Sequence, residues 1–193
     1  MKYILVLFAT CSLFMSCKKN SPDQTLLEHW PQEWILTTDA SADKYTYLEL
    51  AGNSMKRSEV LKSYSLTQLA LDEYCEFVVA TARTEYTNEI CYTFQFERQR
   101  NRWLFAGPSS NGQEVHLSTT AGGSETEDPG GDGYKFFIHK MPDVNGVKTV
   151  AIESVDKPGY YISTTTPGFN YSPTQVVLTQ EANPEAATRF QCR

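Results

Sequence analysis

The apolar residues of this chain fall in short runs separated by turn residues. From Val150 to Cys192 the runs are VAIES, YYIS, VVLTQ and TRFQC. Each is rich in β-branched or aromatic side chains, which suit a pleated, half-buried surface. Between them lie Lys157-Pro158-Gly159, Pro167-Gly168-Phe169-Asn170 and Asn183-Pro184-Glu185, residues that favour tight turns. The pattern predicts four antiparallel strands in this stretch.

The same order of runs recurs upstream. Residues 92–140 supply YTFQFE, RWLFAG, EVHLST and KFFIHK, which align with TVAIES, YYISTT, QVVLTQ and TRFQCR of residues 148–193 and set Glu97 beside Glu153. Residues 33–81 form a looser third copy, with strands expected at WILTT, TYLEL, QLALD and CEFVVA. Within it, residues 52–74 admit two readings. Leu66, Leu69 and Ala70 fit one face of a short helix, while Leu69 and Leu71 alternate as in a strand.

Three units of four strands resemble the β-trefoil, in which six strands close a barrel and six hairpin strands cap one end. The expected class is therefore all-β, a β-trefoil spanning residues 25–193. The alternative is another antiparallel barrel or sandwich, such as a lipocalin-like barrel. The trefoil reading turns Trp34, Leu36, Leu48, Leu69 and Phe77 inward in the first copy. It does the same for Phe94, Phe96, Leu104, Leu117 and Phe137 in the second, and for Val150, Ile152, Ile162, Leu178 and Phe190 in the third.

The last copy resembles one family more closely. Glu153, Ser154, Pro158, Gly159, Tyr161 and Ile162, followed by Ala187, Thr188 and Phe190 with Arg189 inserted, are similar to the C-terminal domain of arabinofuranosidase B. That resemblance implies a β-trefoil that binds arabinose side chains of plant polysaccharide. Two positions depart from the family. Ser163 and Thr164 stand where it carries histidine, and Ala186 replaces its aspartate, with Glu185 one position away.

The first residues read as an address rather than as part of the fold. Lys2 precedes an apolar run from Tyr3 to Met15, thirteen residues long, which is short for a membrane span. Ser16-Cys17-Lys18-Lys19 follows. The arrangement resembles the signals of bacterial lipoproteins, in particular those of the Bacteroidetes. It implies a signal peptide over 1–16, cleavage before Cys17, and palmitate-type lipidation of that residue. Residues 17–24 would then form a lipidated polar tether. The implied location is the cell envelope, anchored by lipid to the outer membrane. Several acyl chains, each CH₂ contributing about 0.8 kcal/mol, hold such a protein stably.

Charge and chemistry narrow the function. The net charge is −6 and no basic run exceeds Lys18-Lys19, which argues against nucleic acid. The chain carries no His-Glu-x-x-His, Gly-x-Ser-x-Gly, Cys-x-x-Cys or phosphate-cradling glycine loop, so no enzyme activity, cofactor or metal is expected. His29, His116 and His139 are too few and too scattered for a metal centre. Glu125, Glu127, Asp128 and Asp132 gather in a glycine-rich connection, without the spacing of a calcium loop. Cys75 and Cys91 flank an expected hairpin that, paired about its middle, would bring them within disulfide reach; the alternative is two separate buried thiols. Cys192 is then left to pack as a small apolar residue. Tyr160, Asn170, Tyr171 and Glu185 combine aromatic faces with an amide and a carboxylate, a composition suited to sugar rings. The expected function is thus a non-catalytic, lipid-anchored binding protein with a glycan as partner. The alternative is a protein-interaction or inhibitor module whose partner is unknown, because a scaffold of this kind does not fix its ligand.

Overall fold

The computed structural model describes residues 33–39, 41–52, 54–72, 75–108, 115–121, 130–164 and 175–193. They form an all-β, antiparallel structure of twelve strands and one helix. In chain order these are β1 (Glu33–Asp39), β2 (Lys44–Ala51), β3 (Ser54–Leu61), helix α1 (Leu66–Asp72), β4 (Glu76–Arg83), β5 (Ile90–Phe96) and β6 (Gln99–Pro108). They continue with β7 (Val115–Ala121), β8 (Phe136–Val144), β9 (Val147–Ser154), β10 (Tyr160–Ser163), β11 (Val177–Gln180) and β12 (Phe190–Cys192).

Six strands pair in a closed ring. β1 pairs with β4, β4 with β5, β5 with β8, β8 with β9, β9 with β12, and β12 again with β1. Each ring strand therefore has a partner on both sides, and the backbone groups that an edge strand would expose are used within the ring. The other six strands form three hairpins, β2–β3, β6–β7 and β10–β11. Strand β7 joins them by pairing with both β3 and β11, and a Lys56–Gln175 bridge adds a further link. Two arginines tie neighbouring hairpins: Arg57 Nη1 donates to the Thr164 carbonyl at 2.7 Å, and Arg102 Nη1 to the Gly52 carbonyl at 2.8 Å.

The pairing recurs position by position. Trp34 faces Phe77, Tyr92 faces Phe136, and Val150 faces Phe190. Where a ring strand meets its hairpin, Thr37 faces Tyr47, Gln95 faces Trp103, and Glu153 faces Tyr161. Glu153 thus corresponds to Gln95, not to Glu97. The alignment of sequence runs is shifted by two residues here, a shift that keeps the same side-chain face and so leaves the apolar pattern unchanged.

Alternate residues of the ring fill its interior. Trp34, Leu36, Phe77, Phe94, Phe96, Val150, Ile152 and Phe190 are buried there, joined by Leu48, Leu104, Ile162 and Leu178 from the hairpins. Phe94 sits at the hub, with ring centroids 6.0 Å from Trp34, 6.1 Å from Phe77 and 5.7 Å from Phe136, all near edge-to-face. That geometry suits the quadrupoles of aromatic rings. Two interior expectations resolve differently. Phe136 and Ile138 point inward, and Phe137 faces out, partly exposed. Leu69 is buried on the inner face of α1, outside the main core. The side chain of Leu117 lies outside the description.

The first unit also corrects two elements. QLALD is helical, not a strand. Leu69 and Ala70 are buried while Leu71 is 60% exposed, as a helical period requires and strand alternation forbids. The Ser65 carbonyl accepts from Leu69 N at 2.9 Å, and its hydroxyl faces Gln68 N at 3.4 Å. The third strand of this unit is instead β3. It pairs with β2 over eight positions, closing between Ala51 and Ser54 with Gly52 at φ 66°. A two-residue connection with positive φ is the favoured hairpin turn, so Gly52-Asn53 was the local signal.

The expected Cys75–Cys91 disulfide is absent. The β4–β5 hairpin sets Cys91 opposite Ala82, because its turn lies at Glu85–Asn88 rather than midway between the cysteines. Cys75 packs with Leu69 and Ala70 on the opposite end of the hairpin. Cys192 lies against the main core, and burial pushes its thiol up to about 12.

Two outcomes are expected. Phe136→Ala should cost about 3–5 kcal/mol in urea unfolding, whereas Phe137→Ala should cost less than about 1 kcal/mol; equal losses would mean a different register in β8. In a form beginning at Ser21, Cys75, Cys91 and Cys192 should all resist a thiol reagent at neutral pH until the protein is unfolded. Rapid labelling of any of them in the native state would contradict this packing.

Candidate functional site

The ring directs its alternate residues outward as well as inward, and the segment before the fourth strand of each unit covers part of that outer face. In the first unit α1 covers Ile35 and Tyr47. In the second, Tyr134 stacks on Phe105 at 4.7 Å. Phe105 leaves no room at Gly107 or Gly133, where an added Cβ would meet its ring at 2.7 and 2.6 Å. In the third, Ala187, Met141, Ala151 and Tyr161 pack together beside a 3-10 turn at Pro184–Ala186.

The third outer face holds the most organised polar cluster. It starts from the turn that ends β9. Gly159 has φ 83°, and its N–H donates to Glu153 Oε1 at 2.7 Å. The Ser154 hydroxyl accepts from Lys157 N at 3.2 Å, and the Gly159 carbonyl accepts from Glu181 N at 3.0 Å. The second oxygen of Glu153, Oε2, lies 2.6 Å from His139 Nε2. With the carboxylate ionised, Nε2 carries the proton and donates, leaving Nδ1 as the ring's other hydrogen-bonding atom. The His139 ring sits 5.8 Å from the Tyr161 ring. The Tyr161 hydroxyl is pushed up to about 12, first by burial, then by the charge of Glu153 and its hydrogen bond, and then by Glu185.

Glu153 is therefore an internal organiser that fixes a backbone turn, an imidazole and a phenol. His139 is 29% exposed at its side chain, and Glu185 stands exposed on the 3-10 turn. Asn183 caps that turn, its Oδ1 accepting from Ala186 N at 3.0 Å, and Pro184 at the first position needs no donor there. The face so built presents the His139 imidazole and the exposed Glu185 carboxylate, while the Tyr161 ring is buried; imidazole and carboxylate are able to hydrogen-bond neighbouring hydroxyls.

Of the residues singled out in the sequence, Glu185 belongs to this cluster. Tyr160 does not face it: alternation sends Tyr160 to pack against the main core while Tyr161 faces out. Asn170 and Tyr171 lie outside the described residues, as do Cys17, His29, Glu125, Glu127 and Asp128. Asp132 serves the fold, its Oδ1 accepting from Glu85 N at 3.1 Å and lying 3.6 Å from the buried Lys135 ammonium. His139, Glu153 and Tyr161 were missed as a group. The signal was available for two of them, since Ile152 and Ile162 facing inward oblige Glu153 and Tyr161 to face out. Among the described residues, no group of three or more His, Cys, Asp or Glu is placed to hold a metal ion.

A second feature lies on the first outer face. A cavity of about 540 Å³ is lined by Glu33 and Ile35 of β1, Glu76 of β4, Arg193, and Leu66, Thr67, Ala70 and Leu71 of α1. The Glu76 carboxyl is raised above the ordinary glutamate value of 4.5, by burial first and then by Glu33 and Glu97.

Compared with known proteins, the chain matches no family model and no curated sequence.

The raised Glu76 carboxyl has a defined consequence for stability. The folded state binds this proton more tightly than the unfolded state does, so the group favours folding at low pH. It opposes folding as pH rises from the ordinary value through the raised one. Glu76→Gln should therefore melt slightly higher than the parent at pH 7, with the gain kept small by solvent screening, and the two should coincide below about pH 4. A gain that persisted in acid would rule out a charge origin.

Proposed function

We propose that this chain is a non-catalytic, lipid-anchored envelope protein that binds glycan through the third outer face of a β-trefoil. The scaffold reading is supported by the closed ring of six strand pairings, the three hairpins joined through β7, and the recurrence of the same paired positions. On that reading the arabinofuranosidase-type resemblance concerns a unit whose Glu153 and Gly159 form one hydrogen-bonded turn. The lipid anchor rests on the Ser16-Cys17-Lys18-Lys19 sequence, which would hold the domain at the outer membrane.

The observation that carries the binding reading is the His139–Glu153–Tyr161 arrangement, with Glu185 beside it. A half-buried imidazole and carboxylate are held in place before any ligand arrives, so little ordering cost falls on binding. Vicinal sugar hydroxyls, each both donor and acceptor, match such a set. The family's histidine after the paired tyrosine is replaced by Ser163 and Thr164, both buried. On this reading His139, from the neighbouring strand, supplies the imidazole instead.

A glycan array probed with a form beginning at Ser21 tests this directly. Binding to arabinose-containing or related polysaccharide is expected at micromolar to millimolar Kd, values ordinary for a shallow site of few contacts. His139→Ala should weaken it about tenfold, the loss of one good polar contact, with the melting temperature nearly unchanged. An array that stays blank with folded protein would end the glycan reading.

A further inference from the structure

We propose that the cavity between α1 and the outer face of β1 and β4 is a second binding site. It takes a lysine or arginine side chain from an extended segment of a partner protein. The site is separate from the His139 cluster and does not depend on the glycan reading.

Size and lining come first. At about 540 Å³ the cavity falls within the range of roughly 300–1,000 Å³ typical of ligand sites. Ile35, Leu66 and Ala70 provide an apolar wall, and Glu33 and Glu76 place two carboxylates on it. A long aliphatic stem ending in a cation matches that division, because such side chains lay their methylenes on apolar surface and keep the charge at the tip.

Charge complementarity points the same way. Among the described residues no cation pairs with Glu33 or Glu76, and the charges acting on Glu76 are both carboxylates, Glu33 and Glu97. Glu97, outside the cavity lining, has Oε1 paired with Arg100 and Oε2 buried without a hydrogen-bond partner. Among the described residues Arg193 is the one cation lining the cavity, against two carboxylates, and its known contacts turn toward Gln191 and Tyr45. Nη2 and Nε donate to Gln191 Oε1 at 2.6 and 3.2 Å, and the group lies 4.6 Å from the centre of the Tyr45 ring. The like-charged pair is therefore left to be relieved by an incoming cation.

The rim selects a protein segment over a free amine. Leu71 lines the cavity and is also 60% exposed, so apolar surface continues outward from the pocket. A free diamine would leave that surface wet. A peptide whose basic residue is flanked by leucine would cover it, and covering it removes apolar area from water.

The full chain, purified in a zwitterionic detergent and labelled with nitrogen-15, can be titrated with acetyl-Leu-Lys-Leu-amide, with the same peptide carrying norleucine for lysine, and with 1,5-diaminopentane. The lysine peptide is expected to shift the amides of residues 66–71 and of Glu76 in a saturable way. It should bind at least about fivefold more tightly than the norleucine peptide, the size of a charge-assisted hydrogen bond partly screened by solvent, and more tightly than the diamine. Glu33→Gln combined with Glu76→Gln should abolish the preference for lysine, and Leu71→Ser should weaken the peptide while sparing the diamine. Equal affinity for the lysine and norleucine peptides, a diamine as tight as the peptide, shifts located away from α1, or no shifts at all would each overturn the proposal.

Discussion

Closure of the six-strand ring is the constraint on which the rest depends. A strand left at an edge exposes a row of donors and acceptors; here β12, only three residues long, bonds to both β1 and β9 and completes the circle. Once the ring is closed, alternation leaves no choice of face. Even positions from Trp34 to Leu36, Phe94 to Phe96 and Val150 to Ile152 turn into one shared interior. Phe94 meets three other aromatic rings there, so a slip in any one strand would disturb side chains from several others.

The outer faces are where the surroundings of the three hairpins diverge. At the matching hairpin position stand Tyr47, Trp103 and Tyr161, all buried aromatics. What faces them from the ring differs: Thr37, Gln95 and Glu153. What lies beside them differs too: a helix against Tyr47, Tyr134 of a 3-10 segment (Asp132–Tyr134) against Phe105, and a proline-started 3-10 turn beside Tyr161. The common aromatic keeps each hairpin seated, while the cover is free to vary because it contributes little to the ring itself. Binding chemistry is expected where variation costs the fold least.

The two carboxylate sites show opposite electrostatic designs. Glu153 is satisfied within the fold by a backbone N–H and an imidazole, which makes it rigid and preorganised. The charges that shift Glu76 are carboxylates, and among the described residues of its cavity two carboxylates stand against the one cation of Arg193, which leaves room for a further cation. The proposed glycan face follows from the first design and the proposed basic-peptide cavity from the second. Both arise on outward positions of ring strands, at Ala151–Glu153 and Glu33–Ile35, with a short covering segment beside each.

Much of the architecture was legible in the chain itself. Period-two apolar runs and Pro-Gly or Asn-Pro turns locate most strands, because alternation and turn chemistry are local properties. They could not decide residues 52–74, where a helical face and strand alternation fit Leu66–Leu71 equally well and the polar β3, with one buried Met55, gives no apolar run, since both elements settle only when β2 and the outer face of β1 accept them. Nor could they place the cysteines. The register of a hairpin depends on where its turn closes, and a shift of a few residues moved Cys91 to Ala82. The site divides in the same way. The sequence by itself limited each strand to two faces, so that with Ile152 and Ile162 inward Glu153 and Tyr161 must point out; which face of β8 turned inward, Phe136 and Ile138 rather than Phe137, was decided by the structure. Only the tertiary structure decided that His139 and Glu153 meet, because the register of the β8–β9 hairpin sets them together, and that Glu33, Glu76 and α1 line one cavity, because the pairing of β1 with β4 is set by ring closure.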